Sequence, residues 1–164
     1  MIVSNSTPIS NLLHIKHVHL LQKLFKKVHI PDAVADELNV FFKGSHDFQD
    51  CLNNNHIIIK SVESVHFVTH MTPYLHKGEI EAICLSLENG AVLCLMDDKD
   101  GREVAQMNQL PVTGTLGILL KAKSLGYISE VKPLIDLLRS EKHFWIDEHM
   151  YKKVLSLAGE RVDT

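Results

Sequence analysis

The chain has 164 residues, enough for one domain with a substantial core, and its apolar fraction of 45% beside 23% charged residues is that of a soluble globular protein. A net charge of -3 excludes a chain that attracts nucleic acid through its overall charge, while leaving room for a local site. No apolar run reaches membrane-spanning length, MIVSNSTPIS has no leader pattern, and Cys51, Cys84 and Cys94 form no C-x-x-C pair, so a cytoplasmic protein is expected.

In chain order, Met1 to Asn5 reads as a short buried strand, and Ser6-Thr7-Pro8 as a helix start, with a hydroxyl cap and proline in the first turn. The apolar positions from Leu12 to Leu24 fit two helical segments meeting near Lys16-His17. Val28 to Ile30 is a second strand, and Pro31-Asp32 opens a helix in which Glu37 borders the core face while Asp36 points to solvent. Phe41 to Asn55 reads as loop plus a short helix, His56 to Val62 as strand, and Val65 to His76 as ambiguous.

The segment GEIEAICLSLENGAVLCLMDDKD organises the rest. Ile80, Ile83, Cys84 and Leu87 recur at helical spacing, and Asn89-Gly90 stops that helix because glycine accepts the left-handed backbone of a C-cap. Ala91 to Met96 is a continuous apolar run, the pattern of a strand covered on both faces, and it ends directly on Asp97-Asp98. Arg102 to Asn108, Thr115 to Leu125 and Glu130 to Leu138 read as helices, with a short strand at Leu110 to Thr113. Phe144 to Ile146 is expected as an edge strand, and Asp147 as the cap of a last helix to about Leu157. Strands alternating with helices predict an α/β fold with a mainly parallel sheet, in a single domain over residues 1–164.

Asn5, Glu37, Glu79 and Asp97-Asp98 each sit just past a strand or on a helix that follows one. In open parallel sheets, sites lie beyond the carboxyl ends of strands. Carboxylates converging there repel unless they hold a cation, and an oxygen-only set suits Mg²⁺ or Mn²⁺. Such ions polarise phosphoryl oxygens and activate water, the chemistry of many nucleases. The competing account is that Asp98 and Asp100 only cap the next helix. Helix geometry does not separate Glu79 from Glu81, which flank the apolar stripe on opposite sides.

Taken together, IVSNSTPIS, IPDAVADEL, KGEIEAICLSLENGAVLCLMDD and VTGTLGILLKAKSLGYI, in this order and reaching to Ala158-Gly159-Glu160, resemble a PIN domain, and more narrowly the PIN-like group of predicted nucleic-acid-binding proteins. The resemblance implies a three-layer α/β/α sandwich and a Mg²⁺- or Mn²⁺-dependent ribonuclease. Many bacterial members are toxins restrained by a partner antitoxin. It maps the family's four acids onto Asn5, Glu37, Glu79 rather than Glu81, and Asp97, with Asp98 close enough to share that last role. Ser6 matches a hydroxyl beside the first acid.

The departure is Asn5, where the family has aspartate. An amide oxygen can ligate a metal but brings no charge and cannot act as a base. Two readings of function follow: an endoribonuclease acting on single-stranded RNA, of altered activity, or an inactive module that binds nucleic acid or protein. A small-molecule phosphohydrolase using the same acids is a third. Arg102 and Thr115 are further substrate contacts to consider, the latter through backbone amides of Thr113-Gly114-Thr115-Leu116-Gly117, which lacks the Gly-Lys-Ser/Thr ending of a P-loop and otherwise reads as a strand-to-helix turn with Thr115 as N-cap. The histidines, including His14, His17 and His19 and the pair His66 and His70, lack a zinc-type pattern. Phe144 and Trp145 are read as core or interface residues before base-stacking ones, and Ile135, Leu138 and Val154 as positions for a homodimer contact.

Overall fold

The structure, a computed structural model, describes residues 1–63, 74–140 and 144–161. The ambiguous stretch from Val65, with His66 and His70, lies largely outside the described residues. Five strands form one sheet: β1 (Ile2–Ser4), β2 (Val28–Ile30), β3 (Ile57–Ile59), β4 (Leu93–Leu95) and β5 (Val112–Thr113), in the order β3-β2-β1-β4-β5 with every pairing parallel. These five strands fall within predicted ones, each over two or three residues.

The described helices are α1 (Ser6–His14), α2 (His19–Phe25), α3 (Asp32–Phe42), α4 (His46–Asn53), α5 (Lys77–Glu88), α6 (Lys99–Met107), α7 (Thr115–Ser124), α8 (Lys132–Ser140) and α9 (Glu148–Leu157). Side chains alternate along the strands and build two cores. Val3, Cys94 and Met96 face α5 and α6, whereas Leu95, Val28, Ile30 and Ile57 join the larger core of the other face with α1, α2, α4 and α7 to α9. This is the expected α/β/α sandwich. The three thiols are buried core groups, and burial pushes those of Cys51 and Cys94 up to about 11.

Several caps follow their sequence signals. Gly90 adopts φ 56 after α5, and Asp147 accepts the Met150 amide of α9. The stretch after Phe41 is more regular than expected, because Ser45 caps α4 and that helix buries Phe48 and Cys51. Helix α5 is buried from Gly78 through Ser86, so its apolar stripe understates its burial, while Leu87 is exposed.

Three expectations are corrected. Residues 144–146 form no strand: Phe144 and Ile146 pack onto the larger core while Trp145 is 84% exposed, so the segment is anchored by two side chains rather than by ladder hydrogen bonds. Ile135, Leu138 and Val154 are buried within the fold, which removes them as a homodimer surface. Gly114, not Thr115, is the N-cap of α7.

The order of the sheet positions the site. The chain lays β1, β2 and β3 outward in one direction, then crosses back to place β4 and β5 on the other side of β1. The switch point falls between β1 and β4, and loops leaving those two strands diverge to open a crevice at their carboxyl ends. Asn5 and Asp97-Asp98 follow these two strands.

Candidate functional site

The crevice is a cleft of about 820 Å³ lined at one end by Asn5, Ser6, Glu37 and Glu79. Asn5 ends β1, where its amide N–H donates to Leu95 O (3.1 Å) and extends the pairing with β4. It is almost wholly buried, at 2% exposure, and among the described residues Oδ1 has no hydrogen-bond partner. An unpaired buried polar atom typically costs ~1–3 kcal/mol, so its presence at the cleft is a physical anomaly.

Glu37 projects from α3 and accepts a hydrogen bond from Ser6 Oγ (2.5 Å). Its carboxylate lies over Gly78, where an added Cβ would land on Oε1; only glycine lets the start of α5 come this close. Asp36, one position earlier, is exposed, as the helical geometry predicts. Glu79 sits in the first turn of α5 and accepts the His76 amide through Oε2 (3.1 Å). Burial pushes its carboxyl up from the usual range; the His76 amide opposes that, while the charges of Asp98 and Glu37 add to it.

The choice between Glu79 and Glu81 has a structural basis. Glu79 lines the cleft, whereas Glu81 Oε2 accepts the Ala33 amide (3.0 Å) and caps the start of α3 from a neighbouring helix. Asp97 and Asp98 also divide. Asp97 accepts Thr115 N (2.7 Å) at Oδ1, and Thr115 Oγ1 (2.6 Å) and Asn11 Nδ2 (3.1 Å) at Oδ2. Burial raises its carboxyl, against those donors and the Arg102 charge. Asp98 caps α6 by accepting the Asp100 and Gly101 amides at Oδ1, and its charge is felt by Glu79. Capping therefore describes Asp98 in part, while Asp100 only lends its amide.

Neither Arg102 nor Thr115 lines the cleft. Arg102 Nη1 donates to Met96 O (2.9 Å) behind Asp97, and Thr115 is completely buried against the same carboxylate. Both support Asp97 and the start of α7. An added Cβ at Gly114 would land on Asp97 Oδ1, which explains the glycine there.

Sequence reasoning missed Asn11, His14, His76 and Lys77. Asn11 is 7% exposed, lines the cleft, and its Nδ2 also donates to Thr115 Oγ1 (3.1 Å). Its one signal was a polar interruption in the apolar run from Ile9 to Leu13. Lys77 stands on the rim, 3.6 Å from Glu81 and exposed.

Among the described residues, no three His, Cys, Asp or Glu side chains already close around one point. The cleft instead offers an open set of oxygens: Asn5 Oδ1, two carboxylates in the same cavity, and Asp98 nearby. That set matches the habit of Mg²⁺, which takes one or two carboxylates and leaves other positions to water and substrate phosphate. The unpaired amide oxygen and the carboxyl raised by burial are both groups that a cation would satisfy.

A family model described as a PIN domain matches residues 1–160 of the chain. Neither the curated proteins nor the solved structures contain a match. No described helix is long and apolar enough to cross a membrane.

Proposed function

The chain belongs to the PIN-domain family, and on that premise we propose that it is a Mg²⁺- or Mn²⁺-dependent endoribonuclease acting on single-stranded RNA. The observation that carries this reading is Asn5 Oδ1, buried and without a partner among the described residues, in the same cleft as the Glu37 and Glu79 carboxylates. Asn5, Glu37, Glu79 and Asp98 would hold the ion. A bound divalent cation supplies Lewis acidity toward a phosphoryl oxygen and toward water.

The remaining residues position these groups. Ser6 holds the Glu37 carboxylate by its hydrogen bond, and the His76 amide does the same for Glu79. Asp97, with Asn11, Thr115 and Arg102 arranged around it, fixes the end of β4 against the start of α7. Lys77, a cation on the rim, meets the RNA backbone. Restraint by a partner antitoxin belongs to the same reading as a consequence of the family.

A second reading is favoured by the amide at Asn5. One carboxylate fewer weakens the hold on a cation, and the fold then serves as a module that binds nucleic acid or protein without turnover. The deciding experiment is cleavage of a mixed-sequence single-stranded RNA with Mn²⁺ or Mg²⁺ by the native protein, Asn5→Asp and Glu79→Gln. Cleavage by the native protein, abolished by EDTA and by Glu79→Gln, is the expected result. Cleavage by Asn5→Asp alone would mean a nuclease scaffold silenced at one position. No cleavage by either would sink the enzyme reading and leave the binding module.

A further inference from the structure

Only one end of the cleft is acidic. The other end is walled by Leu38, Phe41, Phe42, Leu138 and Phe144, and both ends belong to one continuous cavity. Phe41 is 79% exposed, although it stands on a helix that buries Val34, Ala35 and Leu38. Its spacing from Glu37 is i, i+4, so the ring projects from the same face of α3 as the carboxylate, one turn or ~6 Å farther along.

Helix α1 runs beside it with a polar face. Ser6 holds Glu37; a turn later comes Ser10, and a turn after that His14, both lining the cleft. The His14 ring meets Phe42 edge-on at 5.1 Å, and its Nδ1 lies 2.8 Å from Ser10 O, which orients Nε2 as the ring's remaining polar atom. The acidic end is thus followed, within the span of a single nucleotide, by an aromatic wall on α3 facing hydroxyls and an imidazole on α1.

We infer that this half of the cleft is a base-stacking subsite, in which an unpaired nucleobase next to the scissile phosphate lies on Phe41 and presents its edge to Ser10 and His14. The inference rests on the nuclease reading of the acidic end and adds the requirement that the strand be unpaired. A base has an apolar face and a polar edge in one rigid plane, which is what the two walls offer. The apolar face of a peptide helix would have no use for the α1 hydroxyls. A base paired in a duplex could not reach the wall, because its face is stacked on its neighbours.

The test is binding, measured by fluorescence anisotropy on the full chain carrying Glu79→Gln to suppress cleavage. The probes are a short mixed-sequence single-stranded RNA, the same strand with abasic riboses, and its duplex. Phe41→Ala should weaken binding of the single strand roughly five- to hundredfold, the range for losing one stacked base. Phe41→Tyr should restore it, and the abasic strand should bind weakly and ignore Phe41. The ring is exposed, so an unchanged melting temperature will show that the fold is intact. Single-stranded RNA that binds equally well to Phe41→Ala, or an abasic strand held as tightly as the intact one, overturns the subsite and assigns the wall to another occupant such as a peptide. EDTA-sensitive cleavage by the native protein would in that case leave the nuclease reading standing. Absence of both RNA binding and cleavage overturns the two together.

Discussion

Replacing Asn5 with aspartate should destabilise the protein in the absence of a divalent cation, and a divalent cation should offset that loss. The residue is 2% exposed, Oδ1 has no partner among the described residues, and the cleft already holds Glu37 and Glu79. An additional ionised carboxylate there is both desolvated and repelled, an effective penalty of several kcal/mol, for which ~2–4 is a working figure. The sign follows from linkage. Both causes raise the new group's folded-state pKa above its unfolded value, so stability is highest at acidic pH and falls as pH rises through the raised pKa. In EDTA at pH 8, Asn5→Asp should therefore melt below the native protein.

With Mn²⁺ at about a hundred times its dissociation constant, binding contributes ~2.7 kcal/mol, or roughly 5–11 °C for a chain of this size. Thermal melts followed by circular dichroism, native beside Asn5→Asp in EDTA and in Mn²⁺, test the loss and the rescue. The native protein should gain less from Mn²⁺ than the variant, because its amide brings no charge to the ion. Equal melting temperatures in EDTA would refute the burial argument. A destabilised variant that Mn²⁺ does not rescue would refute the cation site while leaving the burial argument intact.

Three further predictions concern residues around the site and far from it. Gly78→Ala should leave stability within ~1 kcal/mol, since alanine favours a helix by about that amount and the atom displaced is the end of a flexible side chain; RNA cleavage should nevertheless fall at least tenfold, because the new methyl lands on Glu37. Lys77→Ala should weaken RNA binding and flatten the slope of log affinity against log salt by ~0.7, the value of one single-strand phosphate contact, whereas an unchanged slope would remove Lys77 from the substrate path. Glu160→Gln should cost ~1.5–3 kcal/mol in urea melts, because its carboxylate accepts Lys123 Nζ (2.5 Å) and the Val131 (2.6 Å) and Lys132 (2.7 Å) amides. Burial would raise the Glu160 carboxyl, but those three donors outweigh it and hold it below the usual range, so its contribution is present at neutral pH and is lost as pH falls through the lowered pKa. If native and variant differ equally at neutral and strongly acidic pH, that account of Glu160 is wrong.

The residues legible in the sequence were those whose role is set by local pattern. An apolar run ending on Asp97-Asp98, a glycine after α5 and a helical phase separating Glu37 from Asp36 all act within a few residues, and each was visible. The illegible parts depend on partners distant in the chain. Asp97 is surrounded by Asn11 and Thr115, 86 and 18 positions away, and no local pattern announces either contact. Helix α8 was placed too early because it has no local cap signal; its first amides are satisfied by Glu160, 28 and 29 positions later. Phe144 to Ile146 has the composition of a strand, but the sheet of the described residues ends at β5, and Phe144 and Ile146 pack onto the larger core instead.

The same distinction bears on Asn5. Asp97, partly buried, and Glu81, buried, have partners that account for them: each accepts a backbone amide that would otherwise be unpaired. Asn5 Oδ1 accepts nothing from the described residues, which gain no hydrogen bond from it while its burial has a cost. A small apolar residue would remove that cost. What distinguishes the position is its location at the switch point of the sheet, in one cavity with two carboxylates, one of them raised by burial and by its acidic neighbours. A cation bound there would satisfy the amide oxygen and neutralise the carboxylates at once, and nothing else among the described residues does both. The amide also carries no charge, so it adds an oxygen ligand without adding repulsion to the metal-free cleft. The substitution that departs from the family's acid thus trades affinity for the ion against stability without it.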